Sequence, residues 1–501
     1  MMAGRTGRAR GRCKSRASPG AGAVIRAAPG GGPAVNSIIL RALNKTSGAG
    51  SVKGGLAPGA PGGEIRPMDT DRLFGGRYRG RDAQYCPFRL HAALLGGIVG
   101  CMARHAKSIS QGNTAIEHLG VGVLALCYPL PAVGSVVSEC QRTEKRVRDL
   151  PAALMVYYVI ALSLFPGVAY QSVLRWLLGG LQWLGNHHFR VASRQSLSDA
   201  RQRLGALPMQ RLHERMALPM AEKSLSGSYF KGLLLVAIDG STLALQDTAA
   251  NSKEFGRSSN QNGEAAWPLA RFVGLVECGT HLIFGAKLGG YRDSEITLAK
   301  SLAPRLEAGM LCLADRLFPG YGLWRQFAAS GTHLLWRAKL SVNLKKTDVL
   351  GDGSYLAEWL PEEERKKGGE AVIVRVIEYR LKDPGVADDK TETYRLITTI
   401  LDPAVATAEE LAGLYPQRWE IEIAIKEGKT VLRKGRITLR SKKPELVEQE
   451  FWGMILAHYL VRKMMAQAAL ERKRDPDELS YEGSIEIIKS TQSGPVLSVS
   501  P

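Results

Sequence analysis

The stretch YPQRWEIEIAIKEGK, from Tyr415 to Lys429, sets three glutamates among aromatic and basic side chains. Wound as one helix at about 100° per residue, Tyr415, Arg418, Glu422 and Lys429 share an arc of about 60°. Glu420 and Glu427 fall roughly 120–140° away, where they read as ordinary solvent charges. A face with one acid and two bases suits a phosphate-handling surface, the bases on backbone oxygens and the acid on a metal ion. A surface salt-bridge ladder has the same spacing. Pro416 fits the first turn of a helix starting near Tyr415. From Lys426 to Lys443, eight Lys/Arg against one Glu continue the basic track.

Two further acids close apolar runs, Asp239 after LLLVAI and Asp315 after MLCLA. A carboxylate in that position stands at the rim of a sheet, dry on one side and open on the other. Many strand-end aspartates only begin turns. A pair of divalent ions clamping a phosphodiester, however, needs hard oxygen ligands from several elements. Asp239, Asp315 and one acid of the 415–429 stretch would supply them, and the helical arc favours Glu422.

The elements that must position these groups change character along the chain. Residues 1–110 hold 18 Lys/Arg, 4 Asp/Glu and 21 of the 55 glycines. They read as a disordered basic tail too poor in apolar residues to offset its ordering entropy. Of the net charge of +20, only +6 then belongs to the rest. That surplus favours a polyanionic partner, nucleic acid before membrane.

From about residue 116 to 220 the pattern is helical, and SRQSLSDARQRLG predicts a helix capped by Ser193 or Ser196 and stopped by Gly205. Its Arg201 and Arg203 suit a helix-turn-helix DNA contact; a solvated amphipathic helix is the bland alternative. The most apolar run, Ala152 to Phe165, has 14 residues, short of the roughly 18–20 that cross a bilayer. It reads as a buried core helix.

From about residue 231 strands take over. Three antiparallel ones, with a hairpin signal at Gly279-Thr280, precede a helix–strand–helix–strand run. Residues from about 345 to 405 read as a small β subdomain of their own, and helices resume at Tyr415 and Pro444. Seven cysteines without a CxxC pair read as reduced core thiols in a cytosolic setting.

With these residues assembled, the chain resembles the insertion-sequence-four group of DDE transposases. Tyr415, Arg418, Glu422 and Lys429 match that group's Y-x2-R-x3-E-x6-K signature. The likeness extends to AIDGSTLALQDTAANSKEFGRS and LCLADRLFPGYGLW around the two aspartates, and to RTEKRVRDLPAALMVYYVIALSLFPG before them. It spans roughly residues 115–485.

The resemblance implies an α/β ribonuclease-H-like catalytic core (230–345 and 406–485) with a β-rich insertion (346–405). An all-α N-terminal DNA-binding domain (111–225) and the tail (1–110) come before it, and a short C-terminus (486–501) after. It implies Asp239, Asp315 and Glu422 as catalytic, metal-binding triad, two Mg²⁺ ions with Mn²⁺ as a substitute, and Tyr415, Arg418 and Lys429 as contacts to the transposon end. The implied activity is cleavage and strand transfer of double-stranded DNA at terminal inverted repeats, by a homodimer in the bacterial cytoplasm at the nucleoid, without a membrane.

The tail has no counterpart in the family, which suggests an over-extended start, and the end stops where relatives continue. A transposase that retains only DNA binding, or a nuclease that cuts without joining, therefore stand as alternatives. Trp267, Trp324 and Trp359 are equal candidates for an aromatic that receives a flipped base.

Overall fold

A computed structural model describes residues 24–27, 38–39, 123–146, 148–179, 192–260, 263–382 and 393–491. Of the basic tail only Val24–Ala27 and Ile38–Ile39 are therefore described, as short strands; the first pairs antiparallel with Tyr379–Lys382. The disorder expected elsewhere in 1–110, like residues 492–501, lies outside the described residues.

The sheet half is built on β1 (Leu233–Ala244), β2 (Leu269–Glu277) and β3 (Ile283–Gly290), which pair antiparallel in sequence order. On its other side β1 pairs in parallel with β4 (Met310–Ala314), and β4 with β5 (His333–Ala338). The order β3-β2-β1-β4-β5, three antiparallel strands followed by two parallel ones, is the ribonuclease-H-like arrangement that the sequence implied. The first turn differs from the two-residue hairpin expected at Gly279-Thr280. It runs through five residues, because Thr280 turns inward to bond the buried Glu277 and His281 takes φ 58°.

The insertion does not stand apart as a subdomain. Its strands β6 (Lys345–Val349), β7 (Tyr355–Trp359), β8 (Val372–Lys382) and β9 (Thr393–Thr398) extend the same sheet, β9 pairing antiparallel with β5. The apolar alternation of β8 and β9 needed an open edge, and β5 offered one. Arg375 of β8, fully buried, donates to the Ala406 carbonyl at 2.7 Å and pairs with Asp352. Asp352 in turn accepts from the Ala408 N–H at 2.7 Å. The insertion thereby fixes the chain that leads into Tyr415.

The N-terminal helices are α1 (Val123–Cys127), α2 (Leu130–Glu139), α3 (Ala152–Leu164), α4 (Tyr170–Gly179), α5 (Arg194–Leu204) and α6 (Leu207–Met216). α3 is apolar all round and buried, as its sequence predicted. After the short α7 (Ala249–Phe255), α8 (Glu295–Lys300) and α9 (Tyr321–Ala328) cover one face of the sheet. The opposite face carries α10 (Ala408–Leu414), α11 (Glu420–Lys426) and the 29-residue α12 (Pro444–Arg472), which α13 (Tyr481–Thr491) follows.

α12 belongs to one hydrophobic core together with α3, α5, α6 and the sheet. Its Gly453 meets α3: a Cβ there would come within 2.8 Å of Val159 Cγ1 and 2.9 Å of its carbonyl oxygen. Any side chain at 453 would push the helices apart. Among the described residues no helix is long and apolar enough to cross a membrane. Cys127, Cys140, Cys278 and Cys312 are free thiols, all but Cys140 buried.

α6 joins the helical half to the sheet through His213, buried with its Nε2–H donating to the Ile283 carbonyl at 3.0 Å. Burial holds this imidazole down at about 4. Its folded pKa is depressed, so the unfolded chain takes up the proton first. Stability from this group is full above pH 6.5 and is lost as pH falls toward 4, a loss of about 3 kcal/mol over that window. We expect His213→Gln, which keeps a donor without the titration, to flatten unfolding free energy across pH 6.5–4 in chemical denaturation. An equally steep acid loss in the variant would place the sensitivity elsewhere.

Candidate active site

β1 does not end at Asp239. It runs on to Ala244, but its burial changes there: Leu234 to Ile238 are buried and Asp239 to Thr242 only partly so. Ile238 pairs with Ala314 on the neighbouring parallel strand. Asp239 and Asp315 each follow one member of that pair, so they stand side by side on strands about 4.8 Å apart. By the alternation of a strand they share the face of Ala237 and Leu313, the face against which α11 and α12 pack. Gly240 donates its N–H to Asp239 Oδ1 at 2.7 Å, and Leu317 donates to Asp315 Oδ1 at 2.7 Å.

The segment carrying the third acid is three short helices in one. Tyr415–Trp419 is a tight 3₁₀ turn, α11 follows, and Glu427–Val431 is a wider π turn. The face expected of a regular helix still forms. Tyr415 is buried and donates its hydroxyl to the Ala314 carbonyl at 3.2 Å, which pins the segment beside Asp315. Arg418 lies between two acids: Nη2 donates to Glu422 Oε1 at 3.0 Å, and Nη1 is 3.8 Å from Asp239 Oδ2. Lys429 donates to Ser241 Oγ at 3.2 Å, two residues past Asp239. Burial, then the neighbouring Arg433, lowers the Lys429 ammonium.

Burial, together with the nearby Asp315 and Glu422, pushes Asp239 up to about 6 despite the Gly240 N–H and Arg418. Like charges this near repel one another, and the Arg418 guanidinium between Asp239 and Glu422 offsets part of that. The donor set is all oxygen, which fits a hard divalent ion. Arg418 links Asp239 to Glu422, and Asp239 feels the charge of both Asp315 and Glu422, so the three acids of the sequence reading stand in one neighbourhood.

Other expectations need correction. Glu420 and Glu427 are not solvent charges. Glu427 is buried and paired with Arg462 of α12, whose Nε donates at 2.7 Å, and with His458 at 3.3 Å. Burial alone would raise this carboxyl, but those two partners hold it below its usual range. On the other side Arg462 donates to His281 Nδ1, so His281 carries its proton on Nε2 and gives it to Glu420 Oε2 at 2.6 Å. Asp477 lies 3.6 Å from the same nitrogen. By spacing His281, Glu420 and Asp477 could hold an ion. The Arg462 donor removes that option, because it leaves no lone pair on Nε2. The cluster is a charge network bracing the back of α11 and of the π turn.

Arg201 is not a DNA contact. It is buried, donating to Gln449 Oε1 at 2.8 Å, Ser441 Oγ at 3.1 Å and the Leu446 carbonyl at 3.2 Å. The expected helix is there, with Ser193 accepting from the Ser196 N–H and Gly205 ending it at φ 70°. Its basic face packs against α12 instead of standing free as a recognition helix. Arg203 is exposed and shares a surface concavity with Arg142, Lys145, Arg146 and Arg148. Trp324 of α9 and Trp359 of β7 are buried in the core on the α8–α9 face of the sheet, whereas Trp267 is 40 % exposed.

Sequence reasoning missed Ser241 and Arg462. Ser241 lies inside the quoted AIDGST and carried no signal of its own. Arg462 sits in a long apolar helix where it looks like a solvent charge.

Comparison with known proteins agrees with this geometry. Residues 118–214 match the family described as "Insertion element 4 transposase N-terminal", and residues 231–460 match "Transposase DDE domain". The chain is 29% identical over 359 residues to "Transposase InsG for insertion sequence element IS4" of Escherichia coli (strain K12), covering 70% of this chain and 78% of that protein. It is 26% identical over 221 residues to "Putative transposase InsZ" of the same organism, covering 44% of this chain and 69% of that one. The two family segments occur in the order of the helical half and the sheet, and the second contains every acid of the cluster at the rim of β1. The chain belongs to the insertion-sequence-four family of DDE transposases, enzymes that act on DNA and depend on a divalent metal.

Proposed function

We propose that this transposase binds the terminal inverted repeats of its element and catalyses Mg²⁺-dependent cleavage and strand transfer. Asp239, Asp315 and Glu422 hold two ions in this reading, and Mn²⁺ serves in their place. The observation that carries it is the Arg418 guanidinium between Asp239 and Glu422: positive charge already stands between two of these acids. Bound Mg²⁺ supplies Lewis-acid polarisation of the scissile phosphodiester.

The chain's own residues orient and neutralise. Tyr415 anchors the segment to β4, while Arg418 and Lys429 face backbone phosphates of the transposon end. Arg203 and its basic neighbours offer a second phosphate-binding surface. A homodimer that pairs two ends, working at the nucleoid in the cytoplasm, belongs to the same reading.

The test is a linear DNA carrying the element's inverted repeat, incubated with protein and Mg²⁺. Strand nicking at the repeat end followed by a joined product is expected. Nicking without joining would leave a nuclease, and binding without nicking a protein that only recognises ends. In the same system Arg418→Ala and Lys429→Ala should each weaken end binding and reduce the slope of log K against log salt by about 1. Unchanged slopes in both would return these side chains to a purely structural ladder.

A further inference from the structure

Two residues beyond Asp239, Ser241 lies on the same face of β1, about 6.8 Å further along the strand. Lys429 reaches it from the π turn and donates to its Oγ at 3.2 Å. An ammonium only donates, so the Ser241 oxygen is the acceptor and its own proton is directed elsewhere. Among the described residues nothing accepts that proton. Lys429 likewise has no second hydrogen-bond acceptor there and no carboxylate within ion-pair distance.

The two side chains are anchored separately. Ser241 belongs to the central strand, at the point where its burial gives way to exposure. Lys429 stands in the π turn, whose first residue, Glu427, is fixed to α12 by Arg462 and His458. What acts on the partly buried ammonium is its own burial and then the Arg433 guanidinium one turn on, and both lower it. A partly desolvated cation beside unspent donors is favourable when an anion brings oxygens to them.

The strand also sets where that anion lies. The step from Asp239 to Ser241 is close to the distance between successive phosphates of a nucleic-acid strand. With Asp239 at the phosphate under attack, DNA lying along β1 brings the next phosphate to Ser241 and Lys429. We propose that Ser241 is a DNA-contacting residue, its hydroxyl and the Lys429 ammonium together seating an oxygen of the phosphate adjacent to the scissile one. This rests on the readings of Asp239 as a metal-binding acid and of Lys429 as a contact to the transposon end, and it adds which phosphate is held and by what second group.

The experiment measures binding of the full-length protein to DNA carrying the inverted repeat, without divalent ions so that no strand is cut. Wild type, Ser241→Ala, Ser241→Thr and Lys429→Ala are compared on unmodified DNA and on two DNAs bearing a neutral methylphosphonate, one on each side of the cleavage position. Ser241→Ala should weaken binding to unmodified DNA by about tenfold, as expected for loss of a hydrogen bond to a charged group. Ser241→Thr keeps the hydroxyl and should recover most of that. One of the two methylphosphonates should weaken wild type by a similar factor and cost Ser241→Ala and Lys429→Ala little more, because their contact is already lost. Wild-type binding by Ser241→Ala overturns the proposal. So does a loss that Ser241→Thr does not recover, or a Ser241→Ala variant that each methylphosphonate weakens as much as it weakens wild type. Undiminished binding by Lys429→Ala overturns the reading of Lys429 as an end contact, whatever Ser241 does.

Discussion

Glu422→Gln is expected to lower Mg²⁺-dependent DNA cleavage by about 10³-fold or more while leaving the fold intact. Gln keeps the length and the oxygen that accepts from Arg418 but carries no charge, so it cannot help neutralise a divalent ion. Metal stabilisation of a developing charge is worth several kcal/mol, and each 1.36 kcal/mol is about tenfold in rate. The folding cost is small. Glu422 is 41% exposed at its side chain and its recorded partner is Arg418, and exposed pairs contribute roughly 0–1 kcal/mol. Cleavage assays beside thermal melts and end-binding measurements separate the two effects. Wild-type cleavage in this variant would remove Glu422 from the active site.

The largest stability change should come from Arg462→Met. Arg462 is buried with Glu427 and contacts His281, and both recorded partners of Glu427, Arg462 and His458, lie on α12. Taking the guanidinium away leaves a carboxylate in the core without its main counter-charge, a loss of about 3–5 kcal/mol. Combining Arg462→Met with Glu427→Gln removes the stranded charge, so the double variant should recover at least about half of that loss, read as a coupling energy in a denaturation cycle. Additive losses would mean that the pair does not act as a unit. Because Glu427 opens the π turn that presents Lys429, the single variant should also loosen contact with the transposon end.

The acids and strands were legible in the sequence because their signals are local. LLLVAID and MLCLAD are short apolar runs ending in a carboxylate. Glu422 was separable from its neighbours because Tyr415 and Arg418 mark its face over about two turns. What escaped depends on pairing across the fold. Arg201 and Arg203 look alike on α5, and only α12, some 240 residues later, turns one inward. Glu427 reads as a surface charge until Arg462 is placed behind it. The insertion strands carry the same alternation whether they form their own sheet or lengthen another, and the free edge of β5 decided the matter.

The meeting of Gly453 with Val159 bears on how such enzymes can diversify. Because one long helix lies in the core that the head and the catalytic sheet share, neither half is an interchangeable part. A recombinant that took its first 225 residues from a distant cousin would inherit a mismatched seam along α12. New DNA specificity in this lineage should then arise through scattered surface changes, with the buried seam inherited whole.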